Sequence, residues 1–366
     1  MRNPPTWSGA WSGYVKTLAA TAVGLVGALM LFVLVMDPYR NVPFSPPIER
    51  PLMDDNQRFL FPGVVRSGRF DSAVFGTSTG RLLQPAHLDG LLGGRFANLS
   101  MNSAMAWEQY KLADLFLRTV PAPRTVVFTL DSVWCDARAD VERTTFRPFP
   151  PWMYDDDRWN DLAYLLNGKT LEIAWRLAEY HLGLRKPRLG GDGYERFVPP
   201  DERWDRAKVE AAIYGGPKRA ILPQEPPYVP GEAERQGWRY PALDWLAELL
   251  ARLPAETRPV LAFMPVHVWA QPQPGSRNEA YERGCKDRIA RLGAEAGAYV
   301  VDFRIPSRVT ADDANYWDHL HYRVGIADWI EETLASVLRG QGEAPDGAWR
   351  LLAAPPAGSP RRAPVS

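Results

Sequence analysis

Histidine and cysteine are scarce in this chain, five and two among 366 residues, and neither sign of charge is in surplus: Lys plus Arg and Asp plus Glu number 43 each. Each shortage excludes something. A nucleic-acid binder carries basic residues in excess to meet the phosphate backbone, and a formal charge of zero removes that class. A closed metal site needs about four convergent ligands. His87, His181 and His267 are scattered, so only the stretch holding Asp318, His319 and His321 could begin one. The two cysteines, Cys135 and Cys285, could pair in an oxidising compartment. Sequence alone does not bring them together, and two separate buried thiols is the plainer expectation. No internal repeat is found.

What the chain does have is one long apolar run, "TLAATAVGLVGALMLFVLVM" at 17–36. About 20 residues without a charge suffice for a helix to cross a bilayer core of about 30 Å. Lys16 bounds the run on one side and Asp37, Pro38 and Arg40 on the other. It offers no small-x-small cleavage site, which makes it an uncleaved anchor rather than a signal peptide. Arg2, Lys16 and the amino terminus favour a cytoplasmic segment 1–16, against the weaker pull of Arg40, and put the bulk of the chain on the far side of the membrane. After the anchor, "DPYRNVPFSPPIERP" opens a Pro-rich polar segment, 37–60, that reads as an extended stalk.

From 61 to 340 a rhythm follows. Short apolar segments at 70–76, 95–100, 124–131, 258–265 and 298–303 alternate with amphipathic stretches such as "SAMAWEQYKLADLFLRTV", in which Met105, Leu112, Leu115 and Phe116 share one face. Strands alternating with helices predict an α/β fold, a doubly wound and mainly parallel sheet of five strands, which binds ligands outside the carboxyl ends of its strands. Residues 136–236 break the rhythm: they are rich in Pro, Trp and acidic residues, and only "LAYLLNGKTLEIAWRLAEYHLGL" reads as helix. This is an insertion, a lid or side wall. Its "FRPFPPWMYDDDRW" interleaves aromatics with charge, as sugar-stacking clefts do and as packed lids do equally. The Pro/Ala/Gly-rich tail, 341–366, is expected to be disordered.

Two motifs carry chemistry. "VFGTSTGRLL" puts Ser78 just past the first strand where a helix begins, with helix N-terminal amides beside its hydroxyl. Helix capping is the simpler role for any of Thr77, Ser78 or Thr79. "DHLHYR" precedes the last helix, and its Asp318 and His321 could supply a base and the acid that orients it, with His319 directed elsewhere. Either motif alone has a bland explanation; together they fit one site. His267 follows the fourth strand at the same sheet edge and either lines a cleft or packs.

The order Gly-x-Ser after strand one and Asp-x-x-His before the last helix resembles the SGNH (GDSL-like) hydrolase superfamily, over 70–340 without the insertion. In its membrane-anchored form the chain is similar to cell-envelope polysaccharide O-acetyltransferases such as those of alginate. The resemblance implies a three-layer sandwich with Ser78 as nucleophile, His321 as base and Asp318 as its acid. It implies neither cofactor nor metal ion. The family's oxyanion glycine after strand two is replaced here by Asn102 and Ser103, and its asparagine after strand three by Asp131 and Ser132; Asn98 or Asn102 is the candidate substitute. His267 and Trp134 are candidates for the substrate cleft. The resemblance further implies a single-pass protein of a bacterial inner membrane with its catalytic domain in the periplasm, a polysaccharide acceptor and a membrane-bound acyltransferase partner. The alternative is an inactive member of the fold that binds a glycan or an envelope partner.

Overall fold

Segments such as SAVFG and TVVFTL are apolar or small at nearly every position, so as strands they need cover on both faces. The computed structural model, which describes residues 7–164, 167–342, 344 and 346–356, gives them that cover. In chain order the elements are α1 (Trp7–Met36), α2 (Gln57–Val65), β1 (Ser72–Gly76), α3 (Pro85–Leu92), β2 (Phe96–Asn98), α4 (Ala106–Thr119) and β3 (Thr125–Leu130). There follow α5 (Gly168–His181), α6 (Arg206–Tyr214), α7 (Glu232–Gly237), α8 (Ala242–Ala251), β4 (Arg258–Phe263), α9 (Arg277–Glu295), β5 (Tyr299–Asp302), α10 (Val324–Leu338) and β6 (Arg350–Ala353). The sheet runs β2-β1-β3-β4-β5-β6. The first five strands are parallel and β6 is antiparallel to β5. Phe75, Phe128, Leu261 and Phe263 face a core built with α2, α4, α8 and α9, while Val74, Val127, Val260 and Val301 face α3 and α10.

Three expectations are corrected. The sheet has six strands, not five, because part of the tail joins it. Leu352 and Leu351 of β6 pack on opposite faces and Trp349 is buried behind them, a short alternation that the surrounding Pro/Ala/Gly composition masked. The rest of the expected disordered tail, 357–366, lies outside the described residues, as do 1–6 of the expected cytoplasmic segment.

The stalk is not a stalk. Asp37 accepts hydrogen bonds from the Asn41 and Val42 amides (2.9 and 3.2 Å) and from the Ser45 hydroxyl (2.8 Å). Arg50 reaches back to the last carbonyls of α1, with Nε to Met36 O at 2.7 Å and Nη2 to Val35 O at 3.0 Å, and so caps the helix. Leu52 and Met53 are buried in the main core. Arg58, fully buried, donates to both oxygens of Glu108 (2.7 and 3.0 Å) and to Asn102 O (3.1 Å), the bidentate fork that suits a buried guanidinium. Composition read the segment as solvated; its polar groups turn inward.

The cysteines are joined. Cys135, after β3, and Cys285, on α9, form a disulfide across 150 residues with Cα atoms 5.7 Å apart. The packing of α9 beside the turn after β3 brings them together, a tertiary contact that sequence separation does not report.

Replacing Arg58 by Met leaves Glu108 buried and uncompensated, a loss expected to cost about 3–5 kcal/mol. The double variant Arg58→Met/Glu108→Leu should recover most of it, and urea midpoints check both. Paired Cys135→Ser/Cys285→Ser substitution should destabilise by about 2–5 kcal/mol in the same assay.

Candidate active site

The chain passes from β1 to the edge strand β2 and then to β3 on the other side of β1, so the connections diverge at the carboxyl ends of β1 and β3. Such a point leaves a crevice. The two strand tips approach so closely that a Cβ on Gly76 or Gly80 would overlap Thr129 Oγ1; only glycine fits at either position. Between them Thr77 donates its hydroxyl proton to the buried carboxylate of Asp131. Ser78 then opens a single 3-10 turn, Ser78–Gly80. The turn has no side-chain cap. Capping therefore does not explain the serine.

Ser78 Oγ lies 2.9 Å from His321 Nε2, and His321 Nδ1 lies 2.7 Å from Asp318 Oδ2. The other oxygen of Asp318 accepts the Leu320 and His321 amides at 2.7 and 2.9 Å, a local turn that aspartate favours. Trp317 N to His321 O closes the same loop at 2.8 Å. Burial pushes the Asp318 carboxyl up, but the hydrogen bond and charge of His321 and the two amides outweigh it, and the group is held below its ordinary value. An ionised Asp318 accepting from Nδ1–H leaves Nε2 free to take the serine proton. Next in sequence, the buried hydroxyl of Tyr322 donates to Thr79 O, joining the loop of His321 to the turn of Ser78.

The oxyanion candidates separate. Asn98 is buried, and its side-chain amide donates to Gly80 O and Leu83 O (2.9 and 2.8 Å) while its oxygen accepts the Ser100 amide (3.1 Å). Its role is to hold the turn together, which corrects the expectation that it donates to an oxyanion. Asn102 Oδ1 accepts from Arg81 Nη1 at 2.8 Å. Ser103 has φ of 53°, the left-handed backbone that a glycine supplies without strain. Met101 N bonds Gly76 O at 2.9 Å, which lays the 102–103 loop beside Thr77 and Ser78. The amides of Ser78, Asn102 and Ser103 donate to no acceptor among the described residues.

Both cleft candidates are corrected. Trp134 is fully buried, its indole N–H bonded to Gln109 at 3.0 Å. His267 is also buried, with Nε2 3.0 Å from Asp313 and Nδ1 accepting the Trp269 amide; burial pushes its imidazole down, against the pull of Asp313. Its backbone amide supports the loop of Asp318 and His321 through His319 O. The side chain of His319 is 3.5 Å from Ala212 O and takes no part in the triad. In the insertion, Phe149 stacks on buried Tyr154 at 4.4 Å, so these two aromatics pack.

Two residues escaped the sequence reading. Phe197, from the insertion, meets the His321 ring edge-on at 5.4 Å and carries the Arg81 guanidinium over its face at 4.9 Å. Arg81 also pairs with Glu195. It thus joins the Ser78 turn, the 102–103 loop and the insertion. Arg81 stood inside the quoted motif; nothing in sequence marked Phe197. Elsewhere, ligand atoms of His87, Asp328 and Glu331 converge, but Glu331 is satisfied by the Gln84 amide and His87, which tie α3 to α10.

No family model and no curated protein matches this chain. The geometry is therefore what speaks for a function.

Tyr322→Phe removes the donor to Thr79 O and leaves a buried carbonyl unpaired, at about 1–3 kcal/mol. Ser78 and His321 should lose register with it. The expected result is a lower thermal midpoint together with slower labelling of Ser78 by an organophosphonate, whereas His319→Ala should leave labelling unchanged.

Proposed function

We propose that this protein is a serine acyl-transfer enzyme of the SGNH type, an O-acetyltransferase or acetylesterase acting on a cell-envelope or exported polysaccharide. The observation that carries the reading is the continuous Ser78–His321–Asp318 relay at 2.9 and 2.7 Å. The strand order β2-β1-β3-β4-β5 supports the doubly wound sandwich expected of that family, with β6 as an antiparallel addition.

In the proposed reaction Ser78 Oγ attacks the carbonyl carbon of an acetyl ester as its proton passes to His321 Nε2. The amides of Ser78 and Ser103 are the donors offered to the oxyanion. The intermediate collapses, the donor's C–O bond breaks, and His321 returns the proton to the departing alkoxide. The acceptor, a sugar hydroxyl or water, gives its proton to His321 as it attacks the acetyl-serine, and Ser78 recovers that proton on release. Asp318 stays ionised and holds the imidazole in one tautomer.

The Cys135–Cys285 bond supports an oxidising compartment. With the apolar α1, whose span Trp11–Met36 is long enough to cross a membrane, it favours a single-pass protein of a bacterial inner membrane with the domain in the periplasm. A membrane-bound acyltransferase would then be the acetyl donor's source. One observation favours the second reading, an inactive glycan- or partner-binding protein: Asp131 replaces the family's asparagine and accepts from Thr77 rather than donating.

Exposing the full-length protein in detergent to 4-nitrophenyl acetate and weighing it intact separates the two. An acetyl adduct on the wild type, absent from Ser78→Ala along with a drop in ester turnover of at least about 10³-fold, is expected. A folded wild type with neither adduct nor turnover would sink the serine mechanism.

A further inference from the structure

Residues 11–31 of α1 are exposed without exception, and burial against the domain begins at Phe32. About 20 residues at 1.5 Å each give about 30 Å, the thickness of a bilayer core. Phe32 to Met36 pack into the domain, Val33 being buried with Val42 and with Ala174 of α5. The level of Phe32 therefore marks where a bilayer would end and the domain begin. At the opposite end Trp11 and Tyr14 are exposed and 6.0 Å apart, aromatics at the depth where interfacial belts form.

Around the level of Phe32 the domain is apolar in a way that its solvent-exposed location does not explain. Trp175 of α5 is 61% exposed and its ring is 6.4 Å from Phe32. Leu182 and Leu184, just after α5, are 73% and 75% exposed. Phe44 and Trp159, both exposed, pair at 5.9 Å on the segment that follows α1 and on the insertion. Between α1 and α5 runs a groove of about 840 Å³, with Leu25 and Leu29 on one wall and Trp175, Arg176 and Arg185 on the other. Leu25 is about 10 Å along α1 from Phe32, so the groove enters the slab to the depth of an interfacial amphipathic helix, about 5–10 Å. The charges there are paired: Glu172 with Lys169 and Arg176, Glu179 with Arg185, which lowers the cost of placing them near hydrocarbon.

We propose that α5 and residues 182–186 form an interfacial plate seated in the headgroup layer of the bilayer that α1 crosses. A phospholipid fills the groove, its acyl chain on Leu25 and Leu29 and its zwitterionic headgroup over the Glu172–Arg176 and Glu179–Arg185 pairs. The proposal rests on the reading of α1 as a membrane span. Phospholipid is favoured over a partner helix because the apolar residues are spread around α1 on three segments and mixed with tryptophan and arginine, as an interface demands, instead of forming one dry seam.

The test uses the full-length chain in nanodiscs of phosphatidylcholine with added phosphatidylglycerol. Its own cysteines are bonded, so a single introduced thiol can carry an environment-sensitive fluorophore at Val23→Cys, Trp175→Cys, Leu184→Cys or Val229→Cys. Val229 is 83% exposed. Its neighbour Tyr228 bonds Gly275 O just before α9, and α9 packs chiefly on β5, β6 and α8. Expected are strong quenching at Val23 by deep doxyl-lipid, at least about twofold quenching at Trp175 and Leu184 by shallow doxyl-lipid, and none at Val229. Quenching at Val23 with Trp175 and Leu184 no different from Val229 overturns the plate and leaves the groove to a protein partner. Absence of quenching at Val23 overturns the span itself. Equal quenching at all four sites, Val229 included, marks non-specific adsorption and also overturns the proposal.

Discussion

One hydrogen bond, from the hydroxyl of Tyr322 to the carbonyl of Thr79, closes a loop of 243 residues. It joins the two segments on which everything else at the site depends. On one side is a 3-10 turn whose shape is imposed by the close approach of β1 and β3; on the other is a loop whose shape is imposed by Asp318 accepting the amides of Leu320 and His321. Neither alone places Ser78 against His321. Closing so long a loop has an entropic cost. The α3 to α10 contact helps to offset it: His87 and Glu331 hold the same two elements together from behind.

This division explains what sequence could and could not convey. Ser78 and the Asp318–His321 pair were legible because their geometry is local: a strand ending at Gly76 must turn, and Asp-x-x-His folds back on itself. Asn98 was misread because its residue type suits an oxyanion donor while its neighbours, Gly80 O and Leu83 O, are brought to it only by the parallel pairing of β1 with β2. Trp134 and His267 sit at the right sheet edge but face inward, which position along a strand does not decide. Ser103 could be located but not judged, since only the observed φ of 53° reveals that a serine holds the glycine's conformation. The stalk failed as a reading for a related reason. Composition treats Asp37, Arg50 and Arg58 as solvated, yet each finds its partners in backbone carbonyls, amides or Glu108.

The insertion is where these threads meet. Its helix α5 packs on α1 through Ala174, and the chain leaving α5 pairs Leu189 with Leu52. It then accepts the Asn98 amide at Asp192 O, covering the free edge of β2, and reaches Glu195 and Phe197 at the triad. Within about 25 residues one strand of polypeptide touches α1, covers the edge of β2 and walls the His321 ring. An unpaired edge invites pairing with other chains, so covering it is sufficient reason for a segment to lie there. It does not explain why the same segment also touches α1. On the proposed reading that second contact fixes the height of Ser78 above the membrane, because no flexible stalk separates the two. An acceptor polysaccharide would have to approach at that height, and an acyl donor delivered from the membrane would have to span it. The Phe197 wall and the α1–α5 contact are then two ends of one constraint, in which the distance between chemistry and bilayer is set by packing and not by a tether.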